Sequence, residues 1–322
     1  MLVAFVLLFA GFAVLIKGAD FMVAGSASLA KNYGISNLAI GLTVVAFGTS
    51  APEFVVSLIS ALSGKNDASF GNIIGSNNFN LLLILGLSGA ITPLVVQRNT
   101  VRYEVPLSLG AAVILYLLVN DGFLFGSSTD GLWLSRWDSI ILLTLFGIFL
   151  LYVYRTMRDG ANLEESSSFQ QYTSMKSVGL IVLGLAMLIG GGKLVIDNAI
   201  SIAEHFGLSE RLIGLTILAA GTSLPELATS LVAAYRRNAD IAIGNVVGSN
   251  IFNILLILGF TGVVNPIPYN PVMNFDLKVL MGGTILLIVF MFTLNTRKLD
   301  RWEAVLLAAS YVVYTVYLVA ND

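Results

Sequence analysis

Residues 71–86, GNIIGSNNFNLLLILG, and residues 244–259, GNVVGSNIFNILLILG, are identical at 12 of 16 positions. The same offset of 173 residues relates GTSAPEFVVSLISA, beginning at Gly48, to GTSLPELATSLVAA, beginning at Gly221. The register continues upstream, where Gly41-Leu42-Thr43 matches Gly214-Leu215-Thr216 and Gly34 matches Gly207. An ungapped register over about fifty residues makes the chain a duplication. Whatever one copy folds into, the other must fold into as well.

The unit that is duplicated is apolar. The chain of 322 residues is 57% hydrophobic and 11% charged, where soluble domains carry about 25% charged residues. Mean hydropathy is +0.87. These values exclude a soluble globular domain and a disordered chain, and they predict an all-α integral membrane protein. A spanning helix takes roughly 20 mostly apolar residues, and ten such spans fit, at 2–30, 36–61, 70–91, 103–119, 137–155, 177–203, 208–234, 242–264, 277–294 and 302–319. Asn32-Tyr33-Gly34, His205-Phe206-Gly207, Asn120-Asp121-Gly122 and the proline-rich run from Asn265 to Pro271 mark the breaks. The N-terminal MLVAFVLLFAGFAVLI resembles a signal-peptide core but lacks the basic leader such a peptide needs, so it is read as the first span, retained. The longest polar stretch, 156–176, separates the halves as a flexible linker. The expected organisation is a first five-helix repeat at 1–155, that linker, and a second repeat at 177–322.

Five is an odd number, so equivalent spans of the two halves start on opposite sides of the membrane. The ten helices therefore form two inverted repeats, an arrangement typical of secondary transporters with a midplane site between the repeats. Orientation follows from the loop cations. On the side of the N-terminus the loops hold Lys65, Arg136, Arg211 and Lys278. The other side holds eleven: Lys31, Arg98, Arg102, Arg155, Arg158, Lys176, Arg236, Arg237, Arg297, Lys298 and Arg301. The richer side is cytoplasmic, which places both termini outside and the linker 156–176 in the cytoplasm of a multi-pass inner-membrane protein. Lys17 and Lys193 fall within spans and have Asp20 and Asp197 one turn away as structural partners. Trp133, Trp137 and Trp302 sit at span edges, as interfacial aromatics do.

Net charge is −2, without the clustered positive charge that nucleic-acid binding requires. The absence of cysteine excludes disulfides and thiolate chemistry, and the single histidine, His205, cannot build a zinc or iron site alone. The best-matched segments nevertheless carry polar groups at membrane depth. Glu53 and Glu226 are equivalent and lie well inside spans, where a charge costs about 2.5–3.5 kcal/mol on insertion scales. Each needs a cation, a proton or a buried partner. Thr49 and Ser50 lie four and three residues before Glu53, on the same helical face, and Thr222 and Ser223 repeat this before Glu226. Ser76 and Asn80, and Ser249 and Asn253, are i,i+4 pairs on the next span of each half. All are hard oxygen donors, suited to alkali and alkaline-earth cations. Pro52 and Pro225 leave the carbonyls of Gly48 and Gly221 without an N–H partner, so both helices should break beside the glutamates. Gly71, Gly75, Gly244 and Gly248 should allow spans 3 and 8 close approach.

The paired GTS-x-PE and GN-x-x-GSN-x-x-N motifs resemble the α-repeats of the sodium/calcium exchangers, within the calcium/cation antiporter superfamily, and the size resembles its compact prokaryotic members. The resemblance covers both repeat cores and the ten-span layout. It implies a secondary antiporter, not an enzyme, with no cofactor and with calcium and sodium ions as cargo. Glu53 and Glu226 would be the central calcium ligands. Thr49, Ser50, Ser76, Thr222, Ser223 and Ser249 would line the calcium and sodium sites, the carbonyls of Ala46 and Ala219 would add sodium ligands, and Asn80 and Asn253 would complete the set. Some relatives carry Asp where this chain has Asn253, which argues against potassium co-transport. The resemblance also implies that spans 1 and 6, with Gly18 and Gly25 in one and Gly190-Gly191-Gly192 in the other, slide against a bundle of motif helices. The partners expected are the ions and the lipid bilayer, with the chain a monomer and no nucleic acid bound. Three other readings stay open: a calcium/proton antiporter, a carboxylate-lined channel and an intramembrane enzyme using paired carboxylates. The neutral oxygen ligands favour sodium coupling over the first, and the inverted broken helices favour alternating access over the second.

Overall fold

The computed structural model describes residues 2–120, 132–157, 171–205, 219–293 and 297–321. In chain order the helices are α1 (Leu2–Tyr33), α2 (Asn37–Thr49), α3 (Ala51–Leu62), α4 (Asn66–Ile91), α5 (Thr100–Val119), α6 (Arg136–Thr156), α7 (Ser174–His205), α8 (Ala219–Gly221), α9 (Leu224–Tyr235), α10 (Ala239–Val264), α11 (Asn274–Phe290) and α12 (Arg301–Asn321). Among the described residues eight helices are long and apolar enough to cross a membrane, and the bent pair α2 and α3 makes a ninth. The expected span at 208–234 begins outside the described residues, which hold only its continuation in α8 and α9. The span expected at 277–294 starts earlier and ends at Phe290, where a turn takes over.

Helices α1 and α7 contain 32 residues each, about 48 Å at 1.5 Å per residue. That exceeds a hydrocarbon layer of about 30 Å, so both must tilt or project. They pack on each other through glycines spaced seven apart, with Gly11 and Gly18 on α1 facing Gly191 and Gly184 on α7. A Cβ on Gly18 would stand 2.9 Å from Gly184 O, and one on Gly184 would stand 2.7 Å from Gly18 O. Gly11 and Gly191 block each other in the same way, at 3.2 and 3.1 Å. Shifting every number by 173 maps one contact onto the other, so the duplication extends to these helices. Gly25 packs against Ser177 O. Of the Gly190-Gly191-Gly192 run only Gly191 faces α1 closely; a Cβ on Gly190 meets nothing within 4 Å among the described residues.

The motif helices pack inside this frame. α4 and α10 are the most buried spans, although they carry the most polar residues. The break expected at the prolines is present. α2 and α3 meet at an angle of 47° around Ser50, with φ −80° and ψ 7°. Ser223 has φ −88° and ψ 9° ahead of α9. Pro52 and Pro225 occupy the first turn of the helix that follows, where a missing N–H costs nothing. Gly48 and Gly221 sit on the outer side of each break. Gly48 receives Met22 of α1 and Leu185 of α7, and Gly221 receives Ile196 of α7. Gly244 and Gly248 admit α2 through Leu38, Leu42 and Ala46. The close approach expected at Gly71 and Gly75 has no such partner within 4 Å among the described residues.

Among the described residues four segments widen into π-helical turns, Gly41–Val45, Phe79–Ile84, Thr100–Glu104 and Phe252–Leu258. Segments read as loops also pair as short antiparallel strands. β1 (Leu94–Val95) joins β4 (Lys298–Leu299), and β2 (Trp133–Leu134) joins β3 (Ile267–Pro268). Two-residue strands carry no periodicity, so hydropathy could not reveal them. The linker's described end is anchored rather than loose. Tyr172 N donates to Ser28 Oγ at 2.8 Å, and Asn32 Nδ2 donates to Tyr172 O at 2.8 Å. Asp20 on α1 pairs with Lys17 at 3.7 Å, as expected, and also with Arg236 at the end of α9.

Candidate functional site

Glu53 and Glu226 lie in the first turns of α3 and α9 and are both 0% exposed. Their positions follow from the break, which puts each carboxylate beside a helix N-terminus, the end that favours negative charge. The break also changes which side chains meet. Ser50 does not share a face with Glu53, because the helix does not run continuously through residue 50. Its Oγ instead donates across the centre to Glu226 Oε1 at 3.0 Å, and Ser223 Oγ donates to Glu53 Oε1 at 3.0 Å. Each serine therefore serves the other half's glutamate. Ser76 Oγ lies 3.5 Å from Glu53 Oε1 and Ser249 Oγ 3.4 Å from Glu226 Oε1. Ser223 and Ser76 are 3.0 Å apart, Oγ to Oγ.

The threonines also cross between halves. Thr49 Oγ1 donates to Asn245 Oδ1 at 3.0 Å, and Thr222 Oγ1 donates to Asn72 Oδ1 at 3.2 Å. The two asparagines then fix the backbone of the glutamates. Asn72 Nδ2 donates to Glu53 O at 3.1 Å and Ser57 Oγ at 2.9 Å; Asn245 Nδ2 donates to Glu226 O at 3.3 Å and Ser230 Oγ at 2.9 Å. Asn77 and Asn250 donate to each other's backbone carbonyl at 3.3 and 3.2 Å. Their side-chain oxygens take Asn253 Nδ2 at 2.9 Å and Asn80 Nδ2 at 3.2 Å. The carbonyl of Ala46 accepts from Ser50 N at 3.0 Å and lies 3.3 Å from Thr49 Oγ1. Ala219 is the first described residue of α8.

Ten of the twelve residues singled out from the sequence therefore bring their side chains into one buried cluster. Of these Thr222 is the most exposed, at 8%. Among the described residues four oxygens in the cluster have no hydrogen-bond partner: Glu53 Oε2, Glu226 Oε2, Asn80 Oδ1 and Asn253 Oδ1. Leaving a buried acceptor unsatisfied costs about 1–3 kcal/mol, and more for a charged group. Neither glutamate forms an ion pair among the described residues. No group of three His, Cys, Asp or Glu is found among those residues either, so the ligand set is two carboxylates among neutral oxygens. It matches the chemistry of a hard cation with oxygen ligands. A cavity of about 280 Å³ reaches Ser50 from the side, but Phe47, Phe54, Phe252, Leu256 and Phe260 wall it. Such a wall offers nothing to a hydrated ion.

Asn72, Asn245, Asn77, Asn250, Ser57 and Ser230 were missed from the sequence. The asparagines stand inside the duplicated GN-x-x-GSN motif, so requiring identity in both copies would have found them.

A sequence profile for the family described as sodium/calcium exchanger protein matches residues 3–155 and 176–320. The inner membrane protein YrbG of Escherichia coli strain K12 is 34% identical over 327 residues, covering 99% of this chain and 97% of that protein. The sodium/calcium exchanger MaX1 of Methanosarcina acetivorans is 28% identical over 346 residues, covering 98% of each chain. The solved structure of the sodium-calcium exchanger NCX_Mj soaked with zero Na+ and Ca2+ superposes with a TM-score of 0.83 at 30% identity, over 98% of this chain and 99% of that one. By a profile that spans nearly the whole chain and an overlay of this extent, this multi-span membrane protein belongs to the sodium/calcium exchanger family.

Proposed function

We propose that this chain is a secondary active antiporter that exchanges sodium for calcium by alternating access and normally extrudes calcium. The observation that carries this reading is the crossed cluster, in which two buried carboxylates each keep one oxygen free and are surrounded by hydroxyl and amide oxygens. Glu53 and Glu226 together offer the double negative charge that one calcium ion neutralises. Ser50, Ser76, Ser223 and Ser249 hold those carboxylates and line the site. Thr49 and Thr222, the carbonyls of Ala46 and Ala219, and the free oxygens of Asn80 and Asn253 supply smaller neutral positions for sodium. Calcium takes six to eight oxygens, so calcium and sodium compete for the same glutamates, and that competition couples their movements. When more positive charge enters with sodium than leaves with calcium, each net charge contributes about 2.3 kcal/mol per 100 mV to extrusion.

The architecture that goes with this function is ten spans in two inverted five-helix repeats, 1–155 and 177–322, joined by the cytoplasmic segment 156–176, with both termini outside. The twofold relation of the α1–α7 contacts and of the serine–glutamate bonds supports it. We propose a monomer without cofactor or catalytic step, in which α1 and α7 move against the motif helices.

Radiocalcium uptake into proteoliposomes loaded with sodium, against controls loaded with potassium or choline, tests the reading. Uptake should require internal sodium and vanish in the Glu53→Gln, Glu226→Gln variant. Uptake that ignores sodium and follows an imposed pH gradient would establish calcium/proton exchange instead.

A further inference from the structure

The central pair are not the only buried carboxylates. Glu104 closes the π-helical turn Thr100–Glu104 that opens α5, and it is 2% exposed. Its Oε1 accepts a hydrogen bond of 2.5 Å from the hydroxyl of Tyr152 on α6. Among the described residues its Oε2 accepts no hydrogen bond of good geometry, and the hydroxyl of Thr100, one turn earlier, interacts with the carboxylate. Glu104 lines a cavity of about 20 Å³ between α5, the start of α2 and the end of α6, whose other polar residues are Ser36, Gln97, Asn99 and Thr156. About 10–15 Å³ is enough for one water-sized sphere, so the cavity holds one particle. Gln97 is fixed by a 2.7 Å bond from Nε2 to Asp240 Oδ2. Arg102, the nearest cation along the chain, stacks over the Tyr103 ring at 5.6 Å. Glu104 has no ion pair among the described residues.

A single buried carboxylate beside a one-particle cavity, lined by hydroxyl and amide groups together with Leu38, Ala39, Leu42 and Val153, has the charge, the size and the donor chemistry of a site for one small monovalent cation. A water molecule would satisfy the geometry but not the charge, and Glu104 would then be buried neutral, carrying its own proton. We infer that this cavity is a second cation site, taking one dehydrated ion of sodium size, at the end of the molecule that carries Arg98, Arg102, Arg155 and Arg236. It belongs to one half only, because the residue 173 positions on is Leu277. The inference does not depend on what the central glutamates carry.

Equilibrium binding of radiosodium to the full chain in lipid nanodiscs tests it, with Glu53→Gln and Glu226→Gln as the background so that the central carboxylates are silent. Adding Glu104→Gln, which keeps a partner for Tyr152, should lower the sodium bound per chain by one. Asn99→Ala in the same background removes an amide that lines the cavity and should weaken that ion's binding by about 10-fold, and it keeps Glu104 and Tyr152 intact should the first variant fail to fold. The same number of ions bound with and without Glu104→Gln, or unchanged affinity in Asn99→Ala, would overturn the proposal and leave a protonated Glu104 beside water.

Discussion

The two halves of this chain agree closely at the centre and diverge toward the ends. Around Glu53 and Glu226 three kinds of bond have a counterpart 173 residues away: serine to the opposite glutamate, threonine to the opposite asparagine, asparagine to the glutamate carbonyl. In these three the paired lengths differ by at most 0.2 Å. Away from the centre the glycine contacts of α1 and α7 keep the match, but the charged residues do not. Glu104 corresponds to Leu277, Asp20 to Lys193 and Arg236 to Ser63. Under the alternating access proposed above, a shared site is presented to both sides of a membrane, which would hold its residues to the symmetry, whereas ends facing different compartments would be free to differ.

The first way to break this comparison is at the asparagines. Asn72→Ala and Asn245→Ala each remove the bond that fixes a glutamate backbone and strand a buried threonine hydroxyl. Loss of such supporting partners costs about 10–100-fold in ion affinity or transport. Calcium-dependent uptake should fall in that range, and by the same factor in both. A large inequality would show that the centre is symmetric in geometry but not in energy. The second test concerns the α1–α7 seam. Gly184→Ala would place a Cβ 2.7 Å from Gly18 O, and overpacking of this kind costs about 1–3 kcal/mol. Gly190→Ala meets nothing within 4 Å among the described residues and should hold or slightly raise the melting temperature, since glycine weakens a helix interior by roughly 0.5–1 kcal/mol. Equal melting of the two variants would show that the seam is loose. The smallest effect is expected at the asymmetric ion pair. Asp20 and Arg236 side chains are 31% and 30% exposed, and partly exposed pairs contribute about 0–1 kcal/mol. Asp20→Asn should change the ratio of forward to reverse exchange by no more than about fivefold. A larger change would mark this pair as a conformational latch.

How much could be read without coordinates differs between levels. Most of the spans and the helix breaks were legible, because apolar length and proline chemistry are local properties. So was the grouping of polar residues: Thr49, Ser50, Glu53, Ser76 and Asn80 with their five counterparts are all buried. Their connections were not legible. Ser50 looked like a neighbour of Glu53 on a continuous helix, and the 47° bend sends it to Glu226 instead. The supporting asparagines were passed over because an amide in a span looks the same from the sequence whether it ligates, braces or packs.

The sequence by itself determined that this chain lives in a membrane, that it is built twice, and that two carboxylates with oxygen-bearing neighbours are placed at equivalent depths. Those facts rest on composition and spacing, which need no neighbours to be defined. Only the tertiary structure decided that the halves exchange ligands across the centre, that Asn77 and Asn250 lock α4 to α10, and that Gly191 rather than Gly190 or Gly192 meets α1. Each depends on which residues from distant parts of the chain come within hydrogen-bonding or contact distance. That is settled by how tilted and broken helices pack, and a one-dimensional pattern does not encode the angles at which they do so.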